Sequence, residues 1–205
     1  MKSQKSSLVD EASLLTLQKA VRESITVKQA LLDSSETLED LVSLAKRMAE
    51  TLRRGGKVIF FGNGGSASDS LHLAGELVGR FGPHSRSGLP ALALPANAAV
   101  VTAIGNDFGF EEIFSRQIEA LGNSGDIAVG ISTSGRSKNV LKGIEMAGKK
   151  GLFTVGLTGD KGGGLCGLTD LCLCVPSSDT QRIQEAHILM GHVLCELIEQ
   201  ELLKK

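Results

Sequence analysis

A chain of 205 residues with 41% hydrophobic residues is long enough to form one well-cored globular domain. Its net charge of -1 lacks the basic excess that is typical of nucleic-acid-binding proteins and of polybasic membrane anchors. The absence of Trp and Tyr, together with 25 Gly, favours a tightly turned α/β protein over a surface that stacks on bases.

The N-terminal quarter of the chain has the apolar periodicity of two helices. Apolar residues recur at intervals of three and four over Leu14–Ile25, and the pattern is interrupted at 33–35. A second stripe covers Leu38–Leu52 and ends at Gly55-Gly56, a common helix stop. Because an apolar stripe must be covered, the first helix packs either on its own domain, which is the simpler interpretation, or in a subunit interface.

From Lys57 onward, apolar strand patterns alternate with helical patterns. Strands are predicted at 57–61, 89–94, 126–132, 152–158 and 170–175. Helices are predicted at 66–79, 97–104, 111–121, 137–149 and 180–203. Near-continuous apolar strands that are separated by helices indicate a parallel sheet covered on both faces. We therefore divide the chain into N-terminal helices at 1–56 and an α/β domain at 57–205.

The turn after the first strand reads GNGGSA over 62–67, which formally matches the G-x-G-x-x-A fingerprint of dinucleotide-binding proteins. That fingerprint also requires an acidic residue about 20 positions later, at the end of the second strand. The second strand instead ends in ALPAN over 93–97, without a carboxylate. We interpret the glycines as allowing the backbone to approach a ligand, with Ser66 at the start of the next helix directed towards it.

The third strand is followed by four hydroxyl side chains within six positions, namely Ser132, Thr133, Ser134 and Ser137. A helix begins directly afterwards, so free N–H groups and the positive end of its dipole favour an anion at this turn. The alternative is an ordinary loop in which Ser137 only caps the helix. Four hydroxyls exceed what capping requires, and we interpret the turn as a phosphate-binding loop.

The same segment nearly matches the P-loop of nucleotide-binding proteins over 130–137. However, Arg136 occupies the position of the P-loop lysine, and no later segment clearly supplies a strand-end Asp for magnesium. The sequence therefore predicts a site for one phosphoester on a small metabolite rather than for a nucleoside triphosphate.

The helix after the first turn carries His72 and Glu76, four positions apart and thus on one face. Such a pair can supply two zinc ligands, or a base and the residue that orients it. Isolated pairs of this type are mostly solvated surface contacts, but the position just after a ligand-binding turn favours a function. The last helix offers Gln184, His187 and His192 within an apolar stripe. We interpret His187 as structural or exposed. Gln184 and His192 lie two turns apart and not strictly on one face, so periodicity alone does not identify them as a pair of site residues.

The four cysteines, Cys166, Cys172, Cys174 and Cys195, include no C-x-x-C pair. Cys172 and Cys174 lie two apart on an apolar strand, and we interpret them as small buried hydrophobic residues on one face. A reducing compartment is therefore expected. Since neither a signal peptide nor a membrane-spanning apolar run is recognisable, we expect the cytoplasm.

Four segments together resemble one protein family, the sugar isomerase (SIS) domain proteins, and within it the bacterial phosphoheptose isomerases. They are FFGNGGSASD with His72 and Glu76, IGNDFGF at 104–110, GISTSGRS at 130–137, and RIQEAH with His192. The resemblance covers almost the whole chain. It implies a doubly wound, flavodoxin-like, five-stranded parallel sheet with N-terminal helices, assembled as a homotetramer with active sites between subunits. The helices of 1–56 would then form the interface.

The resemblance also implies roles for individual residues. The phosphate would be held by Ser132, Thr133, Ser134 and Ser137, with Ser66 close by. The sugar would contact Asn63, Gly64, Gly65, Glu76, Asn106, Asp107 and Gln184. One zinc ion per subunit would be held by His72, Glu76, Gln184 and His192.

The reaction implied by the resemblance converts D-sedoheptulose 7-phosphate into D-glycero-D-manno-heptose 7-phosphate, the first step towards activated heptose for lipopolysaccharide. A proton moves between C1 and C2 through an enediol, with Glu76 as base and His192 as the partner acid or base. Zinc would stabilise the negative charge on the neighbouring sugar oxygens. This chain has Gln181 where some members of the family have an acidic residue, although Asp179 lies nearby.

A related SIS-domain tetramer binds the replication initiator protein without isomerase chemistry, and this is the alternative function. The presence of His72, Glu76, Gln184 and His192 favours the enzyme, since a scaffold has no use for four convergent ligands.

Overall fold

The computed structural model describes residues 9–83 and 85–204, so parts of the predicted segments 1–56 and 57–205 lie outside it, at 1–8, 84 and 205. In the described part, the helices are α1 (Glu11–Leu32), α2 (Ser35–Arg53), α3 (Gly65–Val78), α4 (Ala98–Asp107), α5 (Ser115–Leu121), α6 (Lys138–Lys149) and α7 (Thr180–Leu203). The strands are β1 (Val58–Gly62), β2 (Ala91–Ala93), β3 (Ile127–Ile131), β4 (Phe153–Thr158) and β5 (Leu171–Cys174).

The five strands form one parallel sheet in the order β2-β1-β3-β4-β5. This is the doubly wound, flavodoxin-like arrangement, and the predicted fold class is confirmed. The chain reverses its winding direction between β1 and β3, whose last residues Gly62 and Ile131 are in register. Ligands of such sheets bind beyond the carboxyl ends of the strands at this switch point, where the two predicted loops begin.

Each face of the sheet has its own hydrophobic core, as the continuous apolar strands predict. Phe60 and Phe61 are consecutive in β1 and point to opposite faces. On one face, Phe60 belongs to a core with residues of α1, α2, α3 and α7. On the other, Phe61 packs on Phe114, with ring centroids 5.3 Å apart, in a core that includes residues of α5 and α6. The sheet therefore stands between two helical layers.

The helix boundaries near the N-terminus follow from side-chain caps and glycine. The Asp10 carboxylate accepts a hydrogen bond from the N–H of Ser13 at 2.9 Å, and Ser34 caps α2 through the N–H of Thr37. The predicted stop after α2 is confirmed, because Gly55 adopts a φ of 81°, which only glycine accepts readily.

Most predicted limits agree with the structure to within one residue, but two helices and one strand differ by two or more residues at an end. The helix predicted at 97–104 continues to Asp107, and the one predicted at 111–121 divides into a 3-10 turn at 110–112 and α5. At that break, the Ser115 hydroxyl donates to the backbone carbonyl of Glu112 at 3.1 Å, which competes with the hydrogen bonds of a continuous helix. β2 has only three residues, because Pro95 lacks an N–H for the sheet and lies in a 3-10 turn instead.

The apolar stripe of α1 is exposed over most of its length. Leu14, Leu17 and Ile25 are between 45% and 61% exposed, whereas only Val27 and Leu31 of this helix are buried. Packing on its own domain, the simpler interpretation, therefore holds only for the C-terminal part of α1. None of the helices among the described residues has both the length and the apolar character to cross a bilayer.

The cysteines differ from the sequence-based expectation. Cys166 forms a disulfide with Cys172, and both side chains, like that of Cys174, are only partly buried. The interpretation of Cys172 and Cys174 as small buried hydrophobic residues was wrong, because the β4–β5 connection returns Cys166 onto β5, which local patterns do not indicate. Only Cys195 is a buried thiol.

Candidate active site

The turn after β1 is shaped by two glycines. Gly64 adopts a φ of 55° at the start of α3, a conformation that favours glycine. Gly65 lies against Gln184 of α7, so closely that an added Cβ would be 2.2 Å from the amide nitrogen of that side chain. Ser66 follows and is buried, although its hydroxyl was predicted to face a ligand. The turn therefore brings the start of α3 into contact with α7.

A reciprocal amide pair joins this turn to the hydroxyl-rich loop. Asn63 and Asn139 each donate to the side-chain oxygen of the other at 2.8 Å. The buried Asn139 also accepts from the N–H of Val140 within the first turn of α6. Sequence reasoning missed Asn139, and its only signal is an amide that directly precedes the apolar stripe of a helix. The pair fixes the two predicted ligand-binding turns relative to each other.

The hydroxyl-rich loop is an ordered turn. The Ser132 hydroxyl, which is buried, donates to the Ser137 hydroxyl at 3.1 Å. Gly135 has a φ of 62°, and its N–H donates to the carbonyl of Ser132 at 2.9 Å. Thr133 is half-buried and Ser134 is exposed. The four predicted hydroxyls are thus grouped around one turn at the carboxyl end of β3.

Ser137 does not cap α6 through its side chain, so the capping alternative is not observed. The N–H groups of Lys138 and Asn139 start the helix and donate to no acceptor in the described part of the chain. Unpaired N–H groups at a helix N-terminus bind anions well. A cavity of about 190 Å³ adjoins the loop, and Arg136 and Lys161 add positive charge to its lining. The loop can therefore hold a phosphate group, and we call residues 132–137 the phosphate loop.

A second cluster of polar side chains lies where α3 packs on α7. The Nε2 atoms of His72 and His192 are 2.8 Å apart, and Oε1 of Glu76 lies 3.2 Å from Nε2 of His72. The cause is a close approach of the two helices, since a Cβ added to Gly191 would be 2.5 Å from Leu73. Because His192 follows Gly191 and His72 precedes Leu73 in the sequence, this contact brings the two histidines together.

This cluster has the donor set of a zinc site. The ligand atoms of His72, Glu76 and His192 all lie within 4.8 Å of one another, and imidazole nitrogens with a carboxylate oxygen are common zinc ligands. At 2.8 Å the two Nε2 atoms form a hydrogen bond in which one ring donates its N–H and the other accepts. When both rings carry their proton on Nδ1 instead, both Nε2 lone pairs are free to bind a cation. The residues therefore fit a metal ion.

Gln184, the fourth predicted ligand, lies one turn into α7 beside Gly65 and Asp69. Burial raises the pKa of Asp69, while a hydrogen bond with Gln184 and the nearby imidazoles offset part of that rise. One oxygen of the Asp69 carboxylate is buried without a hydrogen-bond partner in the described part of the chain.

A buried ion pair that sequence reasoning missed supports this cluster. Glu199 of α7 accepts from Arg86 Nε at 2.6 Å and from the N–H of Phe81 at 2.8 Å. The Phe81 ring lies 5.6 Å from that of His192, and Arg86 also donates to the carbonyl of Glu76. Burial by itself would raise the pKa of Glu199, but the backbone donors and the guanidinium lower it below its ordinary value. The only sequence signal is a carboxylate within an apolar stripe.

Three predicted positions lie apart from both groups. Asn106 and Asp107 end α4, are exposed, and hydrogen-bond to each other at 2.8 Å. Among the described residues, neither hydrogen-bonds to the phosphate loop or to the histidine cluster. His187 is buried, its Nε2 lies 3.1 Å from the carbonyl of Thr158, and burial lowers its pKa to about 4. The structural alternative for His187 is therefore observed.

Comparison with known proteins identifies close relatives. The family model described as "SIS domain" matches residues 25–159. The phosphoheptose isomerase of Aneurinibacillus thermoaerophilus is 47% identical over 184 residues, which is 90% of this chain and 92% of that protein. The phosphoheptose isomerase of Thermodesulfovibrio yellowstonii is 50% identical over 183 residues, which is 89% of this chain and 90% of that protein.

Solved structures agree with the sequence comparison. The phosphoheptose isomerase of Neisseria gonorrhoeae has a TM-score of 0.85 at 39% identity, with 91% of this chain and 98% of that chain covered. The phosphoheptose isomerase of Francisella tularensis has a TM-score of 0.87 at 38% identity, with 92% and 98% covered. Both structures therefore share the fold of this chain over more than nine-tenths of its length.

Proposed function

This chain belongs to the SIS domain family and, within it, to the phosphoheptose isomerases, and we propose that it converts D-sedoheptulose 7-phosphate into D-glycero-D-manno-heptose 7-phosphate. The observation that carries this proposal is the cluster formed by His72 and Glu76 of α3 and His192 of α7. The Asn63–Asn139 pair links the turn that begins α3 to the phosphate loop. A scaffold that only binds a replication initiator does not need such a cluster, so that alternative is not favoured. The product would enter the synthesis of ADP- or GDP-activated heptose for lipopolysaccharide.

The phosphate group of the substrate would be bound by the loop of Ser132, Thr133, Ser134 and Ser137. Unpaired N–H groups in the first turn of α6 and the nearby Arg136 support this role. The Asn63–Asn139 pair would hold the sugar-binding turn of Gly64 and Gly65 against this loop.

Glu76 would act as the base that removes a proton from C1 of the ketose. Its side chain is 24% exposed, so it is reachable by substrate and still partly shielded from water. His192 would donate a proton to the oxygen on C2, which gives the enediol. The two groups then exchange roles, since removal of the O1 proton and protonation of C2 give the aldose.

A zinc ion would be held by His72, Glu76, Gln184 and His192. When bound, it would stabilise the negative charge that develops on the sugar oxygens. Glu76 has two carboxylate oxygens, of which Oε1 faces His72, so ligation and proton transfer do not require the same atom.

We further propose a homotetramer with active sites between subunits, in which the helices of 1–56 form the interface. Two observations support it. The apolar stripe of α1 is exposed over most of its length, and within the described residues of one chain Asn106 and Asp107 form no hydrogen bond to the rest of the site. In the tetramer, a neighbouring subunit would cover the apolar stripe of α1. Asn106 and Asp107 of one subunit would reach the sugar bound by another. The cytoplasmic location stays a prediction.

The decisive experiment incubates the purified protein with sedoheptulose 7-phosphate and zinc, and follows the formation of the aldose by NMR. Aldose production in equilibrium with the ketose is the expected result. A protein of full zinc content that leaves the ketose unchanged would contradict the proposed activity. Light scattering of the same sample measures the mass and so tests the tetramer.

A further inference from the structure

Three cysteines outside the active site lie close together at the edge of the sheet. Cys166 belongs to the connection between β4 and β5, residues 159–170, which we call the cysteine loop. Its disulfide partner Cys172 and the free Cys174 both belong to β5. The sulfur of Cys174 lies 3.4 Å from that of Cys166, and the three sulfurs lie within 4.8 Å of one another. The isomerisation proposed above uses none of them.

The cysteine loop packs directly against the phosphate loop. The N–H of Gly159 donates to the carbonyl of Thr133 at 3.1 Å, and the N–H of Leu165 donates to that of Gly135 at 3.1 Å. The two backbones are in such close contact that a Cβ on Gly135 would lie 2.2 Å from the carbonyl oxygen of Gly162. A change in the position or order of one loop must therefore affect the other.

We propose that Cys166 and Cys172 are a site of reversible thiol oxidation, and that their disulfide increases the affinity of the adjoining phosphate loop for sugar phosphate. The affinity part rests on the function proposed for that loop. The disulfide attaches Cys166 to β5, so residues 159–165, which contact the phosphate loop, are held between β4 and a covalent link. This restraint lowers their conformational entropy. A loop that is ordered before binding loses less entropy when the ligand arrives.

Oxidation requires a two-electron acceptor, and a low-molecular-weight disulfide such as oxidised glutathione is sufficient. The thiolate of Cys166 attacks one sulfur of this oxidant, which forms a mixed disulfide and releases the first small thiolate. The thiolate of Cys172 then attacks the Cys166 sulfur and releases the second. Two protein thiols lose two electrons and two protons, and one small disulfide becomes two small thiols. Dithiothreitol reverses the step.

Cys174 is the third member of the cluster, and its environment keeps it reduced. Burial and the carboxylate of Asp160 raise the pKa of Cys174 above its ordinary value. A thiol with a raised pKa forms little thiolate, so Cys174 attacks the neighbouring disulfide slowly. The Cys166–Cys172 disulfide should therefore exchange only slowly with Cys174.

The first test locates the disulfide in the full chain. Protein treated with oxidised glutathione or with dithiothreitol is alkylated and analysed by mass spectrometry, after cleavage before Asp170 to separate Cys166 from its two neighbours on β5. The oxidised sample should have two alkylated cysteines and the reduced sample four, and fragmentation should identify the Cys166–Cys172 link. Four alkylated cysteines in both samples would overturn the proposal.

The second test measures the Michaelis constant for sedoheptulose 7-phosphate in both redox states. Reduction should raise KM about threefold, with kcat unchanged. A threefold change in KM is a smaller free energy than the entropic cost of ordering the backbone of one residue. Cys166→Ser should have the higher KM in both states, and Cys166→Ala is a second variant should the first fold poorly. Cys195→Ala, a core substitution outside the cluster, should retain the redox response. An equal KM in both states of the wild-type protein would overturn the proposal.

The third test is independent of catalysis. Hydrogen exchange of residues 132–135 and 159–168 should be slower in the oxidised protein than in the reduced protein, without substrate. A protein that shows this difference but no turnover would contradict the proposed isomerase activity and support the redox site. A protein that turns over substrate with the same exchange in both states would contradict the redox site alone.

Discussion

The imidazoles of His72 and His192 face each other with their Nε2 atoms 2.8 Å apart, although 120 positions separate them in the chain. They meet because Gly191 has no side chain and lets α7 approach Leu73 of α3. The cluster that would hold the metal and move the proton is therefore a product of helix packing. Its integrity, and that of the phosphate loop, can be tested separately.

Glu76→Gln is expected to abolish turnover, because an amide cannot accept the proton from C1. Loss of a positioned general base typically costs about 10²–10⁴-fold in rate. Binding of the sugar phosphate should stay largely intact, as titration calorimetry can measure. The control is Glu145→Gln, an exposed carboxylate of α6. Preserved activity would remove Glu76 from the chemistry.

Replacing Ser132 and Ser134 by Ala is expected to raise KM more than it lowers kcat. Each lost hydrogen bond to a charged phosphate is worth about 1.5–3 kcal/mol, so KM should rise at least about tenfold. Ser43→Ala, on the exposed side of α2, is the matched control. An unchanged Michaelis constant for the double variant would count against the phosphate loop.

Metal analysis of the purified protein, after incubation with zinc and removal of unbound metal, is expected to find zinc. Dialysis against a chelator should then remove activity, and zinc but not magnesium should restore it, because imidazole ligands prefer zinc. His192→Ala should bind zinc more weakly in equilibrium dialysis, a measurement that needs no turnover. Equal zinc binding by this variant would exclude His192 as a ligand.

Gly191→Ala is expected to lower both stability and zinc affinity. The new Cβ would lie 2.5 Å from Leu73, and overpacking of this kind usually costs about 1–3 kcal/mol of unfolding free energy. The control is Gly148→Ala in α6, where an added Cβ has open space and the helix should gain stability. Chemical denaturation compares the two. Equal stability of the two variants would contradict the packing argument.

The stability of the fold is expected to fall as the pH is lowered from about 6.5 to about 4. His187 has a pKa lowered from 6.5 to about 4 by burial, so the unfolded chain binds more protons in this window. Above pH 6.5 the His187 imidazole is neutral in both the folded and the unfolded chain, so its contribution to stability is fully present. Between pH 7 and pH 5 the free energy of unfolding should fall by about 2 kcal/mol.

His187→Gln keeps a donor for the Thr158 carbonyl but does not titrate. Denaturation curves of this variant should therefore depend less on pH between 7 and 5 than those of the wild-type protein. The same slope in both proteins would exclude His187 as the cause.

Much of the architecture could be predicted from local patterns. The five apolar strands, the alternation with helices and the glycine stop after α2 are properties of neighbouring residues, so periodicity and turn chemistry reveal them. The limits of β2 and α5 were less accurate, because each depends on one backbone hydrogen bond: Pro95 lacks the N–H for it, and the Ser115 hydroxyl competes for it. The disulfide of Cys166 was missed for a different reason: it depends on how the connection between β4 and β5 brings Cys166 back to β5.

The sequence alone determined the parallel sheet and the position of the glycine-rich and hydroxyl-rich turns, because apolar periodicity and the residues that follow each strand are local. Only the tertiary structure decided which side chains meet: His72 with His192, Asn63 with Asn139, and Arg86 with Glu199. Each pair joins distant segments, and its geometry depends on how closely two helices or loops pack. That distance is set by the side chains, or the missing side chain of Gly191, at the contact itself.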